Sequence, residues 1–174
     1  VAPMSLNFET IEGKSRGYNT LLAVLIVLSA AGFVSFMVSY IKGHQLLGGG
    51  NLTPWGLPIV VAIYLIGLSA GSLILSTLTY VYGKEEYRPV SRVAVFLAIV
   101  LIFGAMVGIG LDLGRPEKTW RLFMFFVLNN MRSMFALNTI LYGGYFAIGL
   151  VYLWSIFAAR SKMIKTMGMI AIGW

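Results

Sequence analysis

Four long apolar runs, separated by short stretches that carry nearly all the charge, set the pattern of this chain. They cover residues 20–41, 57–81, 93–113 and 134–158. Each reaches or exceeds the roughly 20 residues that an α-helix needs to cross about 30 Å of hydrocarbon. The predicted fold is therefore all-α, a polytopic transmembrane helix bundle. A fifth apolar run, 166–174, starts in the same way and stops at nine residues. It is expected to be the start of a truncated fifth span, in a chain that is part of a longer protein; a segment lying along the membrane surface is the other reading. Between the third and fourth runs lies TWRLFMFFVLNNMRS. It is too short to span and is expected to form a short interfacial helix or a re-entrant segment. A loop whose aromatics belong to the interfacial belt fits the same residues. The expected organisation is an N-terminal cytoplasmic segment over 1–19, a four-helix transmembrane bundle over 20–165, and the fifth run.

Composition strengthens the membrane reading: 59% of the 174 residues are hydrophobic and 11% charged, against roughly 45–50% and about 25% in soluble domains. Acidic Glu9 and Glu12 stand where a signal peptide would be basic, so the first run is expected to stay as a span. The net charge of +7 is spread over the connections, with no basic patch interleaved with aromatics, which argues for membrane orientation and against nucleic acid as a partner. Of the 13 Lys and Arg residues, Lys14, Arg16, Lys84, Arg88, Arg92, Arg160, Lys162 and Lys165 lie on the N-terminal side, and Lys42, Arg115, Lys118, Arg121 and Arg132 on the other. The bias predicts a cytoplasmic N-terminus.

The chain has no cysteine and a single histidine, His44. It cannot by itself ligate an iron–sulfur cluster, and an internal haem normally wants one or two such axial ligands. No metal site is expected in this chain. Any electron-carrying metal is expected in a partner.

The candidate chemistry gathers at one membrane face. His44 follows the first run, Asn51, Pro54 and Trp55 precede the second, Asp112 and Arg115 close the third, and Asn129, Asn130, Arg132, Ser133 and Asn138 open the fourth. Helices joined by short connections are usually neighbours, so these groups are expected to meet in one pocket. A carboxylate at the hydrocarbon boundary is costly unless water or a partner reaches it. Asp112 therefore has two readings: a shallow residue bridged to Arg115 three positions on, or a group that exchanges protons with a lipid-soluble redox molecule. His44 titrates near neutral pH and fits the second role, or else bonds backbone or lipid headgroups. Gly67 with Gly71, and Gly104 with Gly108, have the small-xxx-small spacing of close helix packing.

Taken together, PWGLPIVVAIYLIGLSAGSLILS, GIGLDLGRPEKTW and NNMRSMFALNTILYGGYF resemble the NrfD/PsrC family, the membrane subunits of polysulfide reductase-like complexes. The resemblance implies a haem-free bundle with a quinone site near the outer face, working with an iron–sulfur subunit docked there and with further membrane and catalytic subunits. It implies a quinone-reactive subunit of a respiratory oxidoreductase in the prokaryotic cytoplasmic membrane rather than a stand-alone enzyme. Menaquinone is expected over ubiquinone by association with anaerobic metabolism. Asp112 and Arg115 match the family's LDLGRP element beside the quinone; His44 lies about where family members place a quinone-bonding histidine. Asn138 and Tyr142, in the outer half of the fourth span, are expected quinone partners. Asp112 and His44 are the expected proton-exchanging groups. A haem-b anchor, a purely structural anchor and a small transporter are the alternatives, although a transporter would more often place ionisable groups at mid-membrane.

Overall fold

The computed structural model describes residues 15–43, 55–113, 116–121, 124, 133–158 and 160–174, and among these it is all-helical. Helix α1 is Arg16–Lys42, α2 Leu57–Tyr80, α3 Arg88–Asp112, α4 Met134–Phe157 and α5 Ser161–Gly173. The first four are long and apolar enough to cross a membrane, as the four runs predict. Two of the helices begin before their apolar runs do. α1 opens at Arg16 and α3 at Arg88, with Pro89 in its first turn, where a missing N–H costs nothing. Arg88 and Arg92 can lay their aliphatic stems along the helix while their charged heads reach water.

The fifth helix departs further from expectation. It starts at Ser161 and has 13 residues, whereas the apolar pattern placed its start at 166. The reason is that Lys162 and Lys165 are exposed on its outer side, so the helix runs through a charged first turn that an apolar-run criterion discards. Only Thr119–Arg121, a single helical turn, Met124, and Ser133 at the start of α4 belong both to the expected interfacial segment and to the described residues.

α2 and α3 form an antiparallel hairpin. Gly83 adopts φ 72°, the left-handed conformation that glycine takes without strain and that commonly ends helices. Lys84 N–H then donates to the Leu78 carbonyl at 3.0 Å. Ser91 donates to Thr79 Oγ1 at 2.6 Å, and Thr79 to the Lys84 carbonyl at 3.2 Å. At the far end of the hairpin the helices touch through Gly108, where an added methyl would lie 3.3 Å from the Pro58 carbonyl and 3.6 Å from Ala62 Cβ. Gly104 faces Leu65 in the same seam. Among the described residues, Gly67 and Gly71 have nothing within 4 Å of such a methyl. Among the described residues, one of the two glycine pairs is thus a helix contact and the other is not.

α4 packs antiparallel on α3, with Ile99 against Gly149 and Phe103 beside Phe146 at 6.0 Å between ring centroids. α5 folds back along α4 and also reaches α2. Gly168 fits under Tyr152, and the Trp174 indole covers Gly144 and donates from Nε1 to the Leu141 carbonyl at 2.9 Å.

Each helix of this cluster buries a stripe spaced alternately by four and three residues. On α2 it is Ala62, Ile66, Ser69, Leu73, Ser76 and Tyr80; on α3 Ser91, Val95, Ala98, Ile102, Ala105 and Ile109; on α4 Asn138, Tyr142, Tyr145, Gly149, Tyr152 and Ile156. This alternation keeps one face turned to the neighbouring helices. The helices are apolar all round, so what marks the inner face is small and hydroxyl-bearing side chains, as expected where lipid competes for the apolar ones. α1 stands outside this cluster, exposed along its length apart from a few positions near its end. Tyr40 in its last turn donates to Glu117 Oε2 at 3.4 Å. That bond puts the end of α1 beside the connection that follows α3.

Candidate functional site

α2 and α4 both lean on α3, and between them two cavities lie end to end. The first, about 190 Å³, sits where α2 and α4 begin and α3 ends; Trp55, Ile59, Ile109, Phe135, Asn138 and Thr139 are among its walls. The second, about 350 Å³, runs further along α2 and α4 to Trp174. Ile66 and Tyr142 belong to both.

Asn138 and Tyr142 follow one another on the inward stripe of α4. Their side chains are the polar features of an otherwise apolar first cavity, apart from Thr139 and the indole of Trp55. An amide offers both donors and an acceptor, and a phenol one of each. A flat apolar molecule with carbonyl or hydroxyl edges meets both its needs here: an apolar slot and a few convergent polar groups.

Asp112 is the last residue of α3 and is half-buried. It lies one turn beyond Ile109, on the stripe of α3 that backs the first cavity. A carboxylate at a helix C-terminus opposes the macrodipole, at a cost of about 0.3–1 kcal/mol for an ordinary exposed end. Helix formation alone therefore gives no reason for an acid at this position.

Five residues are expected at the quinone: His44, Asp112, Arg115, Asn138 and Tyr142. The structure puts Asn138 and Tyr142 on one wall and Asp112 on the helix stripe behind it. His44 and Arg115 lie outside the described residues, as do Asn51, Pro54, Asn129, Asn130 and Arg132. His44 follows the end of α1 by two residues, and Arg115 precedes the Pro116–Lys118 turn that holds Glu117.

The structure adds a set of buried hydroxyls that the sequence reading passed over. At mid-length Ser69, fully buried, donates to the Ala98 carbonyl at 2.6 Å. The Tyr145 hydroxyl donates to the Ser69 carbonyl at 3.1 Å and lies 3.1 Å from Ser69 Oγ. This one junction ties α2, α3 and α4 together and lies on the wall of the second cavity. Further along, Tyr80 and Tyr152 meet edge to face at 6.2 Å. The Tyr152 hydroxyl is directed toward Ser76, yet neither phenol closes a hydrogen bond among the described residues. The signal for these residues was present as the four-and-three spacing of Ser and Tyr within α2 and α4, which apolar-run counting ignores. Among the described residues no group of His, Cys, Asp and Glu could hold a metal ion.

Comparison with known proteins bears on the same region. The family model described as Polysulphide reductase, NrfD matches residues 45–172. The chain is 35% identical over 171 residues to the Hdr-like menaquinol oxidoreductase integral membrane subunit of Archaeoglobus fulgidus, covering 98% of this chain and 42% of that protein. It is 32% identical over 110 residues to one of the subunits of selenate reductase from Mesobacillus selenatarsenatis, covering 63% of this chain and 26% of the relative. To one of the polypeptides of polysulfide reductase from Wolinella succinogenes it is 28% identical over 110 residues, covering 62% and 34%. The chain thus spans less than half the length of these relatives. No solved structure matches.

Proposed function

The chain belongs to the NrfD family of polysulphide reductase-type integral membrane proteins, and from that premise we propose that it is the quinone-reactive part of an oxidoreductase complex. The observation that carries the proposal is the first cavity, an apolar slot whose wall presents Asn138 and Tyr142, with Asp112 on the helix stripe behind it. In this reading Asn138 and Tyr142 hold the oxygen atoms of the quinone ring, and Asp112 takes up or supplies protons. Quinone chemistry moves a proton with each electron, so a titratable group beside the ring is needed. His44 is the second proton-exchanging group and a quinone partner, and Arg115 orients Asp112 or a ring oxygen.

The electrons come from, or go to, an iron–sulfur partner subunit docked on the face where α1 and α3 end. The absence of cysteine supports this division of labour, because the chain has no thiolate ligand for a cluster. The relatives are named as parts of menaquinol oxidoreductase, selenate reductase and polysulfide reductase. Those names support a larger complex with other membrane and catalytic subunits. Menaquinone is the proposed quinone, supported by the name of the A. fulgidus relative. The charge bias supports an N-terminus on the cytoplasmic side of a prokaryotic cytoplasmic membrane, with the site near the outer face.

The test is Asp112→Asn in the purified complex, followed by quinol-dependent reduction of its iron–sulfur centres. The expected result is assembly with unchanged subunit content and a fall in quinone-linked electron transfer of tenfold or more, about 1.4 kcal/mol in barrier height. An unchanged rate would overturn the role of Asp112 and reduce it to a boundary charge.

A further inference from the structure

The second cavity is larger than the first and differs from it in kind. Its lining is aliphatic and aromatic, and its polar features are the Tyr142 and Tyr145 hydroxyls and the indole N–H of Trp174. Two of these are already engaged, Tyr145 with Ser69 and Trp174 with Leu141. A ligand here would meet hydrocarbon walls and little else. The cavity adjoins the first, with Ile66 and Tyr142 lining both. From Ile66 to Ile74 it follows α2 for eight residues, about 12 Å at the helical rise, which carries it into the middle of the span.

Its two ends are also unlike. At one end it is lined by α5, where the Trp174 ring lies on Gly144 and Ala171 is buried. Sideways it is open: Ala70 is exposed and Ile74 is 60% exposed, and both lie on its rim.

We propose that this second cavity seats the apolar prenyl tail of the quinone, between the Trp174 ring and the Ala70–Ile74 rim. The inference rests on the quinone reading of the first cavity. Ile66 and Tyr142 line both cavities, so a ring held at Asn138 and Tyr142 lies beside the larger apolar space. The arrangement makes the cavity a specificity element: a prenylated quinol touches apolar walls that a tail-less one leaves bare.

The experiment measures KM of the intact complex for two quinols with the same ring, one carrying several prenyl units and one with no tail. Ala70→Trp fills the rim, and Leu75→Trp, which is exposed and lines neither cavity, is the control. The expected result is that the ratio of the two KM values, prenylated over tail-less, rises at least tenfold in Ala70→Trp and stays at the native value in Leu75→Trp. Should Ala70→Trp impair assembly, Ile74→Trp on the same rim carries the test. A ratio left at the native value would overturn the proposal and assign the cavity to a lipid chain or to another helix. If the native complex oxidises neither quinol, the quinone reading itself fails; if it oxidises both and the rim variants do not separate them, the tail seat alone fails.

Discussion

Tyr145 and Tyr152 stand seven residues apart on the same stripe of α4, and removing the hydroxyl from each is expected to have effects of different sign. Tyr145 donates to the Ser69 carbonyl at 3.1 Å and touches Ser69 Oγ. In Tyr145→Phe the Ser69 hydroxyl keeps its own bond to Ala98, so no new orphan is created. The loss is then one interhelical hydrogen bond, about 0.6 kcal/mol on average and up to about 1.7 within membranes. Tyr152 is fully buried, and its hydroxyl closes no hydrogen bond among the described residues. A buried unpaired polar group costs about 1–3 kcal/mol. Tyr152→Phe keeps the ring that packs against Tyr80 and Gly168, so it is expected to be neutral or to stabilise by up to about that amount. The two variants should therefore differ by roughly 0.6–5 kcal/mol, the combined range of the two effects. Reversible unfolding in mixed micelles, titrated with SDS and followed by circular dichroism, measures the difference directly. If Tyr152→Phe proves more destabilising than Tyr145→Phe, the reasoning is refuted, and Tyr152 must hold a water or another group that supplies its missing bond.

Two further outcomes follow from the same packing. Gly104→Ala with Gly108→Ala should destabilise by about 1–3 kcal/mol, the usual range for overpacking, because the Gly108 methyl would press on the Pro58 carbonyl. Gly67→Ala with Gly71→Ala should be neutral or stabilise by a few tenths to about 1 kcal/mol per site through helix propensity; the same unfolding titration decides, and a larger loss at the second pair contradicts the seam described. At the first cavity, Asn138→Leu keeps the side-chain bulk and removes its hydrogen-bonding groups. KM for quinol in the intact complex should rise about five- to tenfold, the equivalent of one hydrogen bond, while an unchanged KM would remove Asn138 from the site.

What the sequence determined by itself was the set of spans. A run of about 20 apolar residues is dictated by the thickness of the bilayer, a one-dimensional requirement that can be counted along the chain. Asp112 was legible for the same reason, since a charge at the end of such a run stands out against its surroundings. The family was legible because motifs in three segments occur together.

The tertiary structure decided which side of each helix faces its neighbours. Transmembrane helices are apolar all round, so hydrophobic pattern does not tell the inner face from the lipid face, and two identical glycine spacings had different fates: a methyl on Gly108 would meet Pro58, while one on Gly71 would meet nothing within 4 Å among the described residues. Nor did counting apolar residues predict that α5 begins at Ser161 and turns Trp174 onto Gly144. Ser69, Tyr145 and the paired cavities depend on how three helices lean on one another. That leaning is set by small residues, hydroxyls and the shape of neighbouring side chains, and these act only once the helices are side by side.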